Sequence, residues 1–467
     1  MQNNLRTLNN FRPRKVLVIG DVIIDRYHVG VVNRISQEAP IPILRISHEK
    51  DRLGGAGSLA QNLSRLGCQV SLCALTGCDD NLKILKKLLI AKKISTDLLI
   101  NDDEFSTLLK ARFLAQNQQI LRVDYEKDFS LSAPKIDKIV DSIIPKIQEF
   151  SAVAISHYVK GFLQPLLLNK IINETKRLGI PCVCDPGRGV DHSNYKGITT
   201  IKPNRLETEG LVGFKLRTTA DFIKAATILK KQTEAEFILI SLDEDGIFYY
   251  RDADDYKLFM VGSKEIFDVC GAGDMVIAIL TAFLANKQAP IDIIPLANIA
   301  AGIVISRLGT ASVSLSELMR ASMPKAHRKI ISLADLIQIR KNSNQSWSFT
   351  NGHFDNLTSM HIKFLQNMAK YGDFRVVAIN SDQSIKKQKG RFPEIKQLVR
   401  AELLASLSSV DWVVIFDEDA PTDLIKKLKP DWVIKGKSHL NRDLIEQRAI
   451  DEVSAKLEFV TDVVVDR

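Results

Sequence analysis

The feature that most constrains this chain is an alternation of short apolar runs with longer stretches that are apolar every third or fourth residue. KVLVIGD (15–21), QVSLCAL (69–75), SAVAIS (151–156), IPCVCD (180–185) and FILISL (237–242) have the length and composition of buried strands. Between them, SLAQNLSRLG (58–67) and PLLLNKIINETKRLG (165–179) carry the helical period and close on glycine, a helix-stop signal. Parallel strands need crossovers, and crossovers are usually helices. The alternation therefore predicts an α/β fold, a doubly wound sheet with helices on both faces. Residues 22–46 and 107–123, with IPILRIS and TLLKARFLA among them, read as extended segments forming a small β lid over one end of the core.

Composition shifts after Leu318. Residues 320–349 are basic, then polar and Asn/Ser-rich, which suits a helix and a linker. A second α/β pattern follows: SFTNGHFD, a helix to Lys370, RVVAIN (375–380), a helix over 396–408, DWVVIFD (411–417), DWVIKG (431–436) and the run KLEFVTDVVVD. This predicts two domains, 1–320 and 346–467, joined by 321–345, the second smaller and Rossmann-like.

The chain has 467 residues, a formal net charge of +9 and a pI near 9.1. That balance fits either nucleic-acid binding or an enzyme handling phosphates. Lys and Arg are scattered among Asp and Glu rather than blocked, which argues against nucleic acid. The six cysteines (Cys68, Cys73, Cys78, Cys182, Cys184, Cys270) lack C-x-x-C spacing, so neither a zinc site nor a redox motif is expected. Buried free thiols in a reducing compartment are the expectation. The N-terminal stretch has no apolar signal core, and no run reaches the ~18 residues of a membrane span, so a cytoplasmic protein without membrane attachment is expected.

The most informative string is DVCGAGDMVIAIL (268–280), a glycine turn running straight into an apolar helix. Gly271, Ala272 and Gly273 place small residues where backbone N–H groups converge on an anion, reinforced by the helix dipole. Asp274 sits beside that anion, where it can take the proton of an attacking hydroxyl. Taken alone, the same string also reads as an Asp capping a helix after a turn. GD-x-x-x-D (Gly20 to Asp25), LGGAGSLAQN (53–62), KPNRLE (202–207) and ANIAAGIVISRLGTAS (297–312) accompany it in one α/β chain. Strand ends are where such sheets hold ligands.

In this order the strings resemble the ribokinase-like (PfkB) sugar kinases, over essentially all of 15–320. GDVIIDRY, RISQEAPIPILRI, RLGGAGSLAQNLSRLG, KARFLAQNQQILRVDYE, YVKGFL and ISRLGTASVS are closer to the bifunctional heptose 7-phosphate kinase/heptose 1-phosphate adenylyltransferases of lipopolysaccharide-core synthesis. The resemblance implies ATP-dependent phosphorylation of a heptose 7-phosphate, with Asp274 as base and Gly271–Gly273 as anion hole. It places Asn204, Arg205, Leu206 and Glu207 at ATP, with Mg²⁺ held through Glu207 and water rather than by direct ligands. Asp25, Gly54 and Gly55 fall at the sugar, and Arg112 and Lys160 at its existing phosphate. A homodimer is implied, with room for a monovalent cation. Three positions depart from the family: Ser58 replaces Asn, His157 replaces Asp with a group able to carry positive charge, and Cys270 replaces Thr. A kinase for another sugar phosphate or a nucleoside, with the second domain a dimerisation or scaffold module, is the alternative.

The second domain resembles cytidylyltransferase-like nucleotidyltransferases, whose signature G-x-F-D-x-x-H-x-G-H is met by Gly352, Phe354, Asp355 and His361. Its first His is Thr358 here, and its Gly is Met360. Arg400 and Lys435 match basic positions, and the family's S-T-T stretch has no counterpart before Arg467. A nucleotide site of Phe354, His361, Arg400 and Lys435 with impaired adenylyl transfer is expected.

Overall fold

The computed structural model describes residues 2–467 except 117, 261–270, 308–311, 324–328, 342, 344, 441–442 and 461–467, and the side chains of 2 and 3. Asp268, Cys270, part of the ISRLGTAS string and the end of the last apolar run lie outside the described residues. The chain divides into two compact units, Met1–Ser322 and Met323–Arg467.

In the first unit β1 (Lys15–Gly20), β2 (Val22–Ile35), β3 (Pro42–Gly55), β4 (Gln69–Thr76), β5 (Ile94–Asn101), β6 (Leu108–Ala115) and β7 (Gln118–Tyr125) come first. They are followed by β8 (Ala152–Ser156), β9 (Cys182–Asp185), β10 (Thr200–Ile201), β11 (Phe237–Ser241), β12 (Ile247–Tyr250) and β13 (Tyr256–Phe259). The main sheet runs β13-β12-β11-β10-β9-β8-β1-β4-β5, parallel from β11 to β5 and closed at one edge by the antiparallel β12 and β13. From β1 the chain winds first toward β4 and β5, then returns to build β8 to β13 on the other side. The C-terminal ends of β1 and β8 therefore open on a topological switch point, where doubly wound sheets bind ligands.

Parallel strands covered on both faces are apolar throughout, as the burial of Val16 to Ile19 and of Ala152 to Ile155 shows. One covering helix, Ala272–Leu284, is buried from Met275 to Leu284. A helix apolar on every side belongs in a core. Truncating Ile277 or Phe283 to Ala is expected to cost roughly 2–5 kcal/mol. The lid is a separate sheet of order β3-β2-β6-β7. Cys68, Cys73, Cys182 and Cys184 are buried thiols, but Cys78 is exposed, a departure from the sequence expectation that follows from its place in the turn after β4.

The second unit is an all-parallel sheet of β14 (Trp347–Gly352), β15 (Phe374–Asn380), β16 (Trp412–Phe416), β17 (Trp432–Gly436) and β18 (Lys456–Val460), ordered β16-β15-β14-β17-β18. Its switch point lies between β14 and β17. The segment read as a linker contributes to this unit: Ile331 and Leu336 are in its core, and Lys329 donates to the carbonyls of Leu407 and Val410 at 2.7 and 2.6 Å. Alternating Leu and Ile in a basic stretch marked a helix there, but its docking depends on strands far along the chain.

Candidate functional site

Five strand or helix ends meet at the first switch point: Asp21 just after β1, His157 after β8, Asp185 ending β9, Lys202 after β10, and the start of the helix Ala272–Leu284. All of these but Asp21 border a cavity of about 950 Å³, lined by His157, Lys160, Asp185, Arg188, Lys202, Asn204, Glu207, Ala272 and Gly273, among others. That is the upper end of the range for small-molecule sites.

Gly271 caps the helix at φ 84°, a left-handed conformation that favours glycine. Asp274, in the first turn, has its carboxyl pushed up to about 7. Burial is the main cause, and the Asp185 and Asp25 charges add to it, against the Ser58 hydrogen bond and Lys202. Ser58 thus reaches the carboxylate despite being shorter than the family's Asn. A Cβ on Gly273 would lie 3.5 Å from Lys202 Nζ and 3.9 Å from Asp185 Oδ2, so the Lys202–Asp185 pair (3.1 Å) faces the glycine turn. Lys202 is 3% exposed. Burial disfavours its charge, but Asp185, Glu207 and Asp274 outweigh this and hold its pKa above the usual lysine value.

Lys202 and Asp185 were absent from the sequence-derived site. Each stands at the end of an apolar strand in KPNRLE and PCVCD, the one signal available. Their meeting depends on β9–β10 pairing, which sets Ile201 opposite Cys184.

Asn204 and Glu207 form a reciprocal capping box on the helix Arg205–Val212: Glu207 N–H donates to Asn204 Oδ1 (2.8 Å) and Asn204 N–H to Glu207 Oε2 (2.9 Å). Both line the cavity. Arg205 and Leu206 do not. Arg205 is turned onto Asp243, Asp245 and the Leu216 and Leu242 carbonyls, and Leu206 is 64% exposed. A helix start presents only some of its side chains to one side, so four consecutive residues cannot all face ATP. Among the described residues no group of three or more His, Cys, Asp or Glu is arranged to hold a metal ion. Asp185 and Glu207 are hard oxygen donors on the same cavity, a set suited to a hydrated divalent cation.

Toward the lid, Asp25 is paired with Arg112. A Cβ on Gly54 would come 2.5 Å from Asp25 Oδ2, and Gly55, at φ 55°, lies where a Cβ would strike the Asp21 carbonyl at 2.3 Å. Lys160 lines the cavity while paired with Glu126 at 2.6 Å. Asp21 Oδ2 accepts the N–H groups of Tyr158 (2.9 Å) and Lys160 (3.2 Å), bracketing Val159, a β-branched residue at φ 60°. Burial raises the Asp21 carboxyl to about 6. His157, a group able to carry positive charge, is held neutral at physiological pH, since burial lowers its pKa to about 4.

In the second unit Arg400 and Lys435 are committed within the protein, and His361 is engaged through Nδ1. Arg400 is 1% exposed and donates to the carbonyls of Ile395, His353 and Asn380 (2.8, 2.5 and 3.0 Å) and to Asp382 Oδ1 (2.7 Å). Lys435 is buried against Glu446 and donates to Asn351 Oδ1 at 2.7 Å. His361 turns back on its own helix start, its Nδ1 3.1 Å from the Thr358 nitrogen, which donates to it. Phe354 is nearly buried at φ 48°, its ring 2.9 Å from where a Gly352 Cβ would stand.

A glycine-capped helix, buried from Met275 onward and carrying in its first turn a carboxylate of raised pKa beside a switch-point cavity, is the arrangement of a sugar kinase. Residues 13–317 match the pfkB family carbohydrate kinase model and 349–466 the Cytidylyltransferase-like model. The chain belongs to the pfkB carbohydrate kinase family, with a nucleotidyltransferase-type domain after it. Within it, the chain belongs with the bifunctional HldE proteins. It is 41% identical to Bifunctional protein HldE of Helicobacter pylori (strain HPAG1) over 92% of this chain and 93% of that one. To the HldE of Geotalea uraniireducens (strain Rf4) it is 36% identical over 97% and 94%. Arabidopsis thaliana ribokinase complexed with ribose and ATP superposes with TM-score 0.54 at 15% identity, over 67% of this chain and all of that one. Escherichia coli phosphofructokinase-2 in complex with potassium gives 0.56 at 19%, over 66% and 98%. These two support the fold alone. No helix among the described residues is long and apolar enough to cross a membrane.

Proposed function

We propose that the first unit transfers the γ-phosphoryl group of ATP to the C1 hydroxyl of D-glycero-β-D-manno-heptose 7-phosphate, giving the 1,7-bisphosphate in ADP-heptose synthesis. The observation that carries this reading is Asp274, a carboxylate with a pKa near neutrality beside a glycine turn and a buried lysine. Asp274 takes the proton of the sugar hydroxyl as its oxygen bonds to the γ-phosphorus. The bond from phosphorus to the β-bridging oxygen breaks, and ADP leaves. Backbone N–H groups of Gly271 to Gly273, with Lys202, neutralise charge on the transferring group, which is most of what phosphoryl transfer requires. Magnesium, held through water by Glu207 with Asp185 nearby, would supply further charge neutralisation on the nucleotide phosphates. Asp25 meets sugar hydroxyls, and Arg112 and Lys160, already paired, serve its phosphate only by exchanging partners.

The second unit is assigned impaired adenylyl transfer from heptose 1-phosphate and ATP. Thr358 lacks the imidazole donor, and Arg400 and Lys435 are bonded inward. Exposed Ile35, Leu121 and Tyr125 on the lid support a homodimer. The test is a screen of sugar phosphates with ATP and Mg²⁺, reading product mass. A heptose bisphosphate supports the reading, while phosphorylation of a different sugar phosphate alone replaces it.

A further inference from the structure

His157 stands where the family pattern has a carboxylate, and its surroundings define what it offers instead. The Gly187 N–H donates to Tyr195 Oη at 3.0 Å, and the same hydroxyl lies 2.8 Å from His157 Nδ1. Tyr195 is fully buried, away from bulk solvent. Its acceptor among the described residues is His157 Nδ1, which places the ring proton on Nε2. The relay runs from backbone N–H through hydroxyl to imidazole and fixes one tautomer.

The residues that follow His157 reach toward the sugar side, where the Tyr158 and Lys160 N–H groups bind Asp21. Ser156 pairs with Gly20 across β8 and β1, so His157 adjoins Asp21, from which the lid departs. The capping box of Asn204 and Glu207 lies beyond β9 and β10, on the other side. His157 lines the cavity together with Lys160, assigned above to the sugar's phosphate, and with Asn204 and Glu207.

We infer, resting on the kinase reading above, that His157 is a specificity-determining residue that presents Nε2–H to an acceptor oxygen of the sugar phosphate, with Tyr195 as its positioning residue. A carboxylate there would accept from a sugar hydroxyl. The imidazole donates, so the site selects a substrate oxygen with a lone pair turned toward β8. It also spares the cavity a further negative charge beside Asp185 and Glu207.

The experiment is steady-state kinetics of the full chain with the sugar phosphate that the wild type accepts, on His157→Leu, His157→Gln and Tyr195→Phe. His157→Leu is expected to raise the sugar-phosphate KM on the order of tenfold while leaving the ATP KM within about twofold, since a substrate oxygen loses its donor in a buried site. His157→Gln, whose amide N–H reaches near Nε2, is expected to restore most of the loss. Tyr195→Phe, nearly isosteric, should fall between. Should His157→Leu fail to fold, Gln and Phe decide: sugar KM values at the wild-type level in Tyr195→Phe overturn the inference. An unchanged sugar KM in folded His157→Leu, or equal rises for sugar and ATP, overturns it as well. Absence of wild-type turnover on heptose 7-phosphate, with another sugar phosphate accepted, sinks the substrate assignment and leaves the variants to judge His157 on that sugar.

Discussion

The two units present the same kind of crevice and differ in what their charged side chains are free to do. Each has a sheet that reverses its winding beside its first strand, the place where doubly wound sheets form a ligand crevice. In the first, Lys202 and Asp185 pair on the cavity wall beside the glycine turn, and Asp274 keeps a proton affinity near neutrality. In the second, Arg400 spends its donors on four protein oxygens and Lys435 is sealed against Glu446 and Asn351. Lys202 is buried and paired as well, but it lines the cavity and faces the glycine turn, whereas Lys435 is turned onto Glu446 and Asn351. Buried cations must be paired, and in the second unit the pairing also turns them from a ligand.

The comparison breaks most visibly at Asp274. Asp274→Asn is expected to lower kcat by at least ~10²-fold, as loss of a general base does, with ATP KM within about twofold. Retention of more than about a tenth of wild-type kcat would remove the base from the account. The same variant should be more stable. The folded-state pKa of Asp274 lies above its unfolded value of 3.8, so its ionisation costs stability as pH rises from about 4 through 7. A melting temperature for Asp274→Asn below wild type at pH 8 would contradict this.

Lys202→Met tests the pairing that distinguishes the first cavity. It removes a donor facing the glycine turn and strands Asp185, and turnover is expected to fall on the order of 10²-fold. Lys202 is buried but Asp185 keeps a quarter of its side chain exposed, so loss of the pair costs less than that of a fully buried one, and a denaturant midpoint should still drop. Wild-type turnover in a destabilised variant would make Lys202 purely structural.

The smallest effect is the pH dependence of the wild type. The base must be unprotonated, and its pKa is raised to about 7. The kcat/KM of the kinase reaction should therefore be flat above that pH and fall about tenfold per unit below it. A profile flat down to pH 5 would place the base elsewhere.

Much of the first unit was legible because parallel strands covered on both faces read as continuous apolar runs, as KVLVIGD and SAVAIS do. The edge was not. IFYY (247–250) and YKLF (256–259) are short antiparallel strands joined by a polar turn, with no helix between them to mark the alternation. The glycine turn and Asp274 announced themselves because a local string places them. Lys202 and Asp185 did not, since only the β9–β10 register brings them together. Arg205 shows the converse: next in sequence to Asn204, it is directed away by the geometry of a helix start. In the second unit Thr358 and Met360 were legible as losses, whereas the inward bonding of Arg400 and Lys435 required the fold.

The most direct test measures both reactions on one preparation of the full chain, with heptose 7-phosphate and ATP in one vessel and heptose 1-phosphate and ATP in another. The account predicts bisphosphate formation at ordinary enzymatic rates, around 1–10³ s⁻¹, and ADP-heptose with pyrophosphate at least ~10²-fold more slowly, the cost of one missing charge-stabilising donor. Comparable rates in the two vessels would show that Arg400 and Lys435 exchange their partners for nucleotide, and would contradict the contrast between the two crevices.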